Sequence, residues 1–218
     1  GVKKGVKQGK ISLLKELLRQ KWELTESDEK VLDDLNESGF AVIDNVYPAA
    51  YVDSLVNECS SHLAEFRAAG IQNGIVSHIR SDHILWIDEQ LPIAQQHINA
   101  LKNLSQLLNQ AFYLGIKEVE AHFACYNAGE FYALHRDNPQ KKNDRMISTV
   151  FYLHEQWQED FGGQLRLQDK NEQWHTIQPL PNRLAIFQSD LLHEVLLSKQ
   201  QRLSITAWLR SGNSLWNA

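Results

Sequence analysis

Apolar residues recur every three or four positions through the first half of the chain and at alternate positions through much of the second. Ile11, Leu14, Leu17 and Leu18 form one helical stripe. Residues 25–38 open with Thr25-x-x-Asp28, a capping pattern, and stop before Gly39. Pro48 starts a long helix in which Tyr51, Leu55, Cys59, Leu63 and Phe66 recur and which is expected to end at Gly70. Another helix covers 94–113. Between the helices, FAVIDNV (40–46) reads as a short strand.

From Val119 the period changes to two. VEAHFACY, MISTVFYL, GQLRLQ, WHTIQ, RLAIFQ, HEVLL and RLSITAWLR are strand candidates, each bounded by Gly, Asn, Asp or Pro. Helices first and strands afterwards predict an α+β fold, with helices buttressing one side of a sandwich or barrel-like β unit. In RLSITAWLR, alternation puts Arg202, Ser204, Thr206 and Trp208 on one face and Leu203, Ile205, Ala207 and Leu209 on the other. Either the polar face lies in water, or both faces are covered and the guanidinium points inward, where it requires an anionic partner.

Bulk properties change this picture little. A length of 218 residues, with 43% hydrophobic and 22% charged residues, suits one globular domain. The net charge of -5 argues against nucleic acid as a partner and leaves only a local basic groove open. Cys59 and Cys125 have neither disulfide-framework nor zinc-site spacing, which favours a reducing compartment. The N-terminal stretch is basic and then apolar, but Lys15 and Glu16 break the apolar run and no small-residue cleavage site follows. No segment approaches the roughly 20 apolar residues of a membrane helix, so the expectation is a cytoplasmic protein with no membrane partner.

The chemistry is carried by three residues. In an extended segment, His135 and Asp137 of His135-Arg136-Asp137 project to the same side and can share a metal ion. That pair alone is a weak signal. His193, 56 residues after Asp137 at the start of HEVLL, is a candidate third ligand. Two imidazoles and one carboxylate on one face of an octahedron leave three positions open, the arrangement of non-haem Fe(II) oxygenases. The seven other histidines lack a metal-type companion and read as surface or core residues. Asp190 and Glu194 flank His193 as solvated or supporting groups, and Gly162-Gly163 reads as a tight turn before a strand.

From Val119 to Leu209 the chain resembles the Fe(II)- and 2-oxoglutarate-dependent prolyl 4-hydroxylase family, in the branch of the oxygen-sensing enzymes and their bacterial relatives. His135-x-Asp137, His193 and an arginine 9 residues later carry the likeness, with ACYNAG, HRDNP, DRMISTVFYL, GGQLRL and RLSITAW around them. Upstream, IRSDHILWIDE (79–89) resembles the segment bordering the family's substrate groove.

The resemblance implies a double-stranded β-helix, or jelly roll, over 119–210; the helical periodicity adds a mainly helical support over 40–113 and an N-terminal helical extension over 1–39, which carries little of the likeness. It implies Fe(II) on His135, Asp137 and His193, with 2-oxoglutarate and O2 as cosubstrates. Arg202 would bind the far carboxylate of 2-oxoglutarate, with hydroxyls of Tyr152 and Thr206 around it and Leu165 against its methylenes. Tyr126 would lie near the metal, and Trp208 would wall the cosubstrate site. Arg80, Asp82, Trp86 and Arg145 would contact substrate, Arg145 pairing with Asp82. The implied partner is a protein with an exposed proline-containing loop, a translation elongation factor being one candidate. Two other functions stand beside this one. An oxygenase acting on a small molecule or nucleic acid is one, although Ser204 and Trp208 depart from the Arg-x-Asn-x-Thr-x-Arg strand of the nucleic-acid demethylases. A non-catalytic jelly-roll sensor that binds a metal and a dicarboxylate is the other.

Overall fold

The computed structural model describes residues 24–70 and 78–212. The amphipathic stripe of Ile11, Leu14, Leu17 and Leu18 lies outside them. Helix α1 (Glu26–Ser38) starts at the expected cap: the Thr25 hydroxyl accepts from the Asp28 amide and the Asp28 carboxylate accepts from the Thr25 amide, each at 3.1 Å. It ends at Gly39, whose φ of 84° is left-handed. Helix α2 (Ala49–Ser61) stops earlier than expected. Its apolar spacing continues because a 3₁₀ turn, Leu63–Glu65, keeps a period of three and still delivers Phe66 to the core. Helix α3 (Pro92–Phe112) carries proline in its first turn, where no amide hydrogen is needed.

Two antiparallel sheets form the β core. The larger contains β1 (Phe40–Ile43), β2 (Arg67–Ala68), β3 (His83–Trp86), β4 (Glu118–Tyr126), β6 (Arg145–Tyr152), β9 (Leu184–Gln188) and β11 (Arg202–Arg210). Their spatial order is β1-β9-β6-β11-β4-β3-β2. The smaller is β5 (Tyr132–His135), β10 (His193–Val195), β7 (Leu165–Gln168) and β8 (Trp174–Ile177), in that order. All seven strands expected after Val119 form, and the non-consecutive neighbours make the expected jelly roll. FAVIDNV pairs only as far as Ile43.

The larger sheet is covered on both faces. Leu203, Ile205, Ala207 and Leu209 of β11 join Phe123, Phe151 and Ile186 in a core with Leu32, Leu35, Leu55 and Leu101 of the three helices. On the opposite face Tyr152, Val150 and Phe187 meet Leu165 and Leu167 of the smaller sheet. Arg202 is therefore 1% exposed, and the polar face of RLSITAWLR looks into the space between the sheets rather than into water. No helix among the described residues is long and apolar enough to cross a membrane.

Candidate metal centre

Between the sheets lies a cavity of about 930 Å³. His135, Asp137 and His193 converge there, each offering a ligand atom within 4.8 Å of the others. They form the one such His/Cys/Asp/Glu group among the described residues. His135 ends β5 and His193 begins β10, and the two are directly paired across the strands. Asp137 follows β5 in a bend locked by Asn138, whose side chain binds the Asn143 amide, the Asn143 carbonyl and the Arg145 carbonyl. Asn143 in turn donates to the Asp137 carbonyl at 2.8 Å.

The same local device orients both imidazoles. His135 Nδ1 bonds the Ala133 carbonyl at 2.7 Å and His193 Nδ1 bonds the Leu191 carbonyl at 2.9 Å. A carbonyl accepts only, so each Nδ1 carries hydrogen and each Nε2 is turned toward Asp137. Asp137 Oδ1 lies 3.2 Å from His135 Nε2 and 3.4 Å from His193 Nε2. Tyr132 stacks on His135 at 3.6 Å between centroids, and Phe187 meets His193 edge-on at 4.8 Å.

Burial alone would raise the Asp137 carboxyl, but the two facing imidazoles, His193 foremost, hold it well below the usual carboxylate range. Burial works against charge on His193, yet Asp137 lifts that imidazole above its ordinary value. His135 goes the other way, lowered by burial and then by His193. An anion facing two nitrogen lone-pair positions is a donor set for a divalent cation, and two imidazoles with one carboxylate suit Fe(II).

Arg202 closes the inner end of the cavity. Its guanidinium lies over the rings of Tyr126 at 4.8 Å and Tyr152 at 5.0 Å. Arg202 Nε and the Tyr152 hydroxyl are buried without a hydrogen-bond partner. Two buried donors that lack acceptors, one of them cationic, fit the carboxylate of a dicarboxylic acid such as 2-oxoglutarate. Leu165, Thr206 and Tyr126 line the same cavity. Burial pushes the phenols of Tyr126 and Tyr152 up, so both keep their hydrogen.

At the open end, Trp86 is 49% exposed. It packs against His122, which packs against Trp208 at 5.2 Å. The expected Asp82–Arg145 pair does not form. Arg80 grips both Asp82 oxygens, Nε at 2.8 Å and Nη2 at 2.7 Å, and the carboxylate is 1% exposed. A fork two residues away saturates Asp82 first. Arg145 instead lies over the Trp208 ring at 3.7 Å and reaches Glu120 at 3.4 Å. Glu120 and Asp144 also hold Arg210, at 2.8 and 3.0 Å. Sequence reasoning missed Ser148, Ser189, His122, Glu120 and Arg210. Ser148 carried a signal: it shares strand parity with Tyr152.

Residues 121–210 match the family described as the 2OG-Fe(II) oxygenase superfamily. A hypoxia-inducible factor prolyl hydroxylase of Caenorhabditis elegans is 29% identical over an alignment of 201 positions that covers 83% of this chain but 28% of that protein. The chain thus spans under a third of this curated relative's length. Among solved structures, a Pseudomonas putida prolyl-4-hydroxylase is 37% identical with a TM-score of 0.79, over 84% of this chain and 98% of that one. A Trichoplax adhaerens prolyl hydroxylase, solved with a peptide of the hypoxia-inducible factor oxygen degradation domain, is 27% identical with a TM-score of 0.78. That match covers 85% of this chain and 89% of the other.

Proposed function

Because this chain belongs to the 2-oxoglutarate- and Fe(II)-dependent oxygenases, in the prolyl 4-hydroxylase family, we propose that it hydroxylates a prolyl residue in an exposed loop of another protein, with release of succinate and carbon dioxide. The observation that carries this reading is the shared cavity: Asp137 Oδ1 facing two imidazole Nε2 atoms, and a buried Arg202 whose Nε has no hydrogen-bond partner.

Fe(II) with 2-oxoglutarate and O2 supplies the oxidising power, one oxygen atom entering the C–H bond and the other leaving in succinate. The chain's residues bind, orient and exclude water. His135, Asp137 and His193 would hold the metal from one side. Arg202 and Tyr152 would fix the far carboxylate of 2-oxoglutarate, with Thr206, Leu165 and Tyr126 shaping its berth and Trp208 standing at its metal end. The jelly roll over 119–210 would be the catalytic unit and 40–113 its support, within a single domain.

The substrate would lie across Trp86 and Arg145, with the Arg80–Asp82 pair stiffening the wall beneath it. The peptide held by the Trichoplax relative supports a protein substrate, and a translation factor is one partner to test.

The test is succinate release by the purified protein supplied with Fe(II), 2-oxoglutarate and ascorbate, with and without proline-containing peptides. Stimulation by peptide, and a gain of one oxygen atom on proline by mass spectrometry, are the expected results. His135→Ala and Asp137→Ala should abolish turnover. Full activity in either metal-supplemented variant would refute the ligand assignment, while turnover indifferent to every proline peptide would refute the substrate class.

A further inference from the structure

The two oxygens of Asp137 have different surroundings. Oδ1 faces the imidazoles. Oδ2 accepts from Ser148 Oγ at 2.6 Å and from the indole nitrogen of Trp208 at 3.1 Å. Ser148 spends its hydrogen on Asp137, so the 2.9 Å contact with Ser189 must run the other way, Ser189 donating to Ser148. Both serines are 1% exposed, so their hydroxyls are shielded from bulk solvent. The Trp208 ring is itself clamped, with the Arg145 guanidinium on its face and His122 against it.

We propose that Ser148 and Trp208 are positioning residues that occupy Asp137 Oδ2 and so confine the carboxylate to one-oxygen ligation of the metal. The proposal rests on the reading of Asp137 as a ligand. A carboxylate that bound through both oxygens would take a fourth coordination position. Two imidazoles and one oxygen leave three, enough for a two-point chelating cosubstrate and O2. With Oδ2 held by two donors, swinging it onto the metal would break both bonds and leave two buried donors unsatisfied. Trp208 adds a second consequence. Substrate lying on Trp86 and Arg145 presses on the residue that holds the metal carboxylate, so the peptide wall and the metal centre share one side chain.

The experiment measures Co(II) binding by calorimetry and the visible absorption of the Co(II) protein, which reports the ligand set without turnover. Ser148→Ala and Trp208→Phe, the latter keeping the aromatic wall but losing the N–H, should each weaken Co(II) binding about 10–100-fold and shift the absorption bands. Ser148→Thr, which retains the hydroxyl, should restore most of the affinity. Circular dichroism checks the fold; if either variant fails to fold, Ser189→Ala carries the test, with a smaller loss expected in the same direction. Wild-type affinity and spectrum in the folded variants would overturn the proposal. Asp137→Ala is measured alongside. If it retains wild-type affinity, the ligand reading itself fails; if it alone loses Co(II), only the positioning role fails.

Discussion

Gly162 and Gly163 adopt φ values of 71° and 67°, yet an added methyl would meet different neighbours. At Gly162 it would stand 2.2 Å from the Leu197 carbonyl oxygen, which is backbone and cannot step aside. With ψ of -147° this residue occupies a region essentially confined to glycine, so the conformation alone costs Gly162→Ala roughly 1–3 kcal/mol. Urea unfolding should show at least that loss, and an unchanged midpoint would contradict the argument. At Gly163 the methyl would lie 2.9 Å from Arg202 Cδ. Gly163→Ala should therefore displace the guanidinium and weaken 2-oxoglutarate binding about tenfold, a share of the roughly 1.5–3 kcal/mol of a charged hydrogen bond. Equal 2-oxoglutarate affinity in Gly163→Ala and the wild type, by calorimetry, would remove Gly163 from this role. The pair was legible as a turn because two adjacent glycines punctuate a strand start. Its contact with Arg202 was not, because 39 positions separate them and periodicity carries no long-range distance.

Among the elements, alternation predicted β4, β6 and β11 well because each is long enough to repeat. It missed β2, β3 and β5, of two to four residues, whose strand character comes from their neighbours. β5 mattered most, since its pairing with β10 sets His135 opposite His193. The helices hold a different kind of unread information. His97 lies on the buried face of α3, its Nδ1 2.5 Å from the Tyr47 hydroxyl and its ring against Phe151. Burial pushes its pKa down to about 3. The unfolded value is about 6.5, so the neutral form is the one folding favours. The resulting stability is complete above about pH 6.5 and is lost as pH falls toward the folded value, at up to about 1.4 kcal/mol per unit. His97→Leu removes this term. The stability difference between wild type and His97→Leu should move by about 2 kcal/mol against the wild type between pH 7 and pH 5. Parallel urea-unfolding results at the two pH values would show that His97 is not held neutral by the fold.

At the scale of the molecule, the sequence announced helices followed by strands, but strand order is set by which faces can cover one another. Both faces of β11 are buried, so a further partner for Arg202 Nε has to come from the space between the sheets. Folding and ligand binding are thereby linked. A ligand present at a hundred times its dissociation constant stabilises the folded state by about 2.7 kcal/mol. For a chain of this length that corresponds to a rise in Tm of about 5–10 °C. Thermal unfolding should therefore rise in two steps, first with Co(II) and again with 2-oxoglutarate. Arg202→Ala should retain the first step and lose most of the second, since the metal donors are untouched. His135→Ala should lose both, because a cosubstrate that chelates the metal loses its anchor with it. A full 2-oxoglutarate step in Arg202→Ala would mean that the buried guanidinium serves the packing of the two sheets rather than the ligand between them.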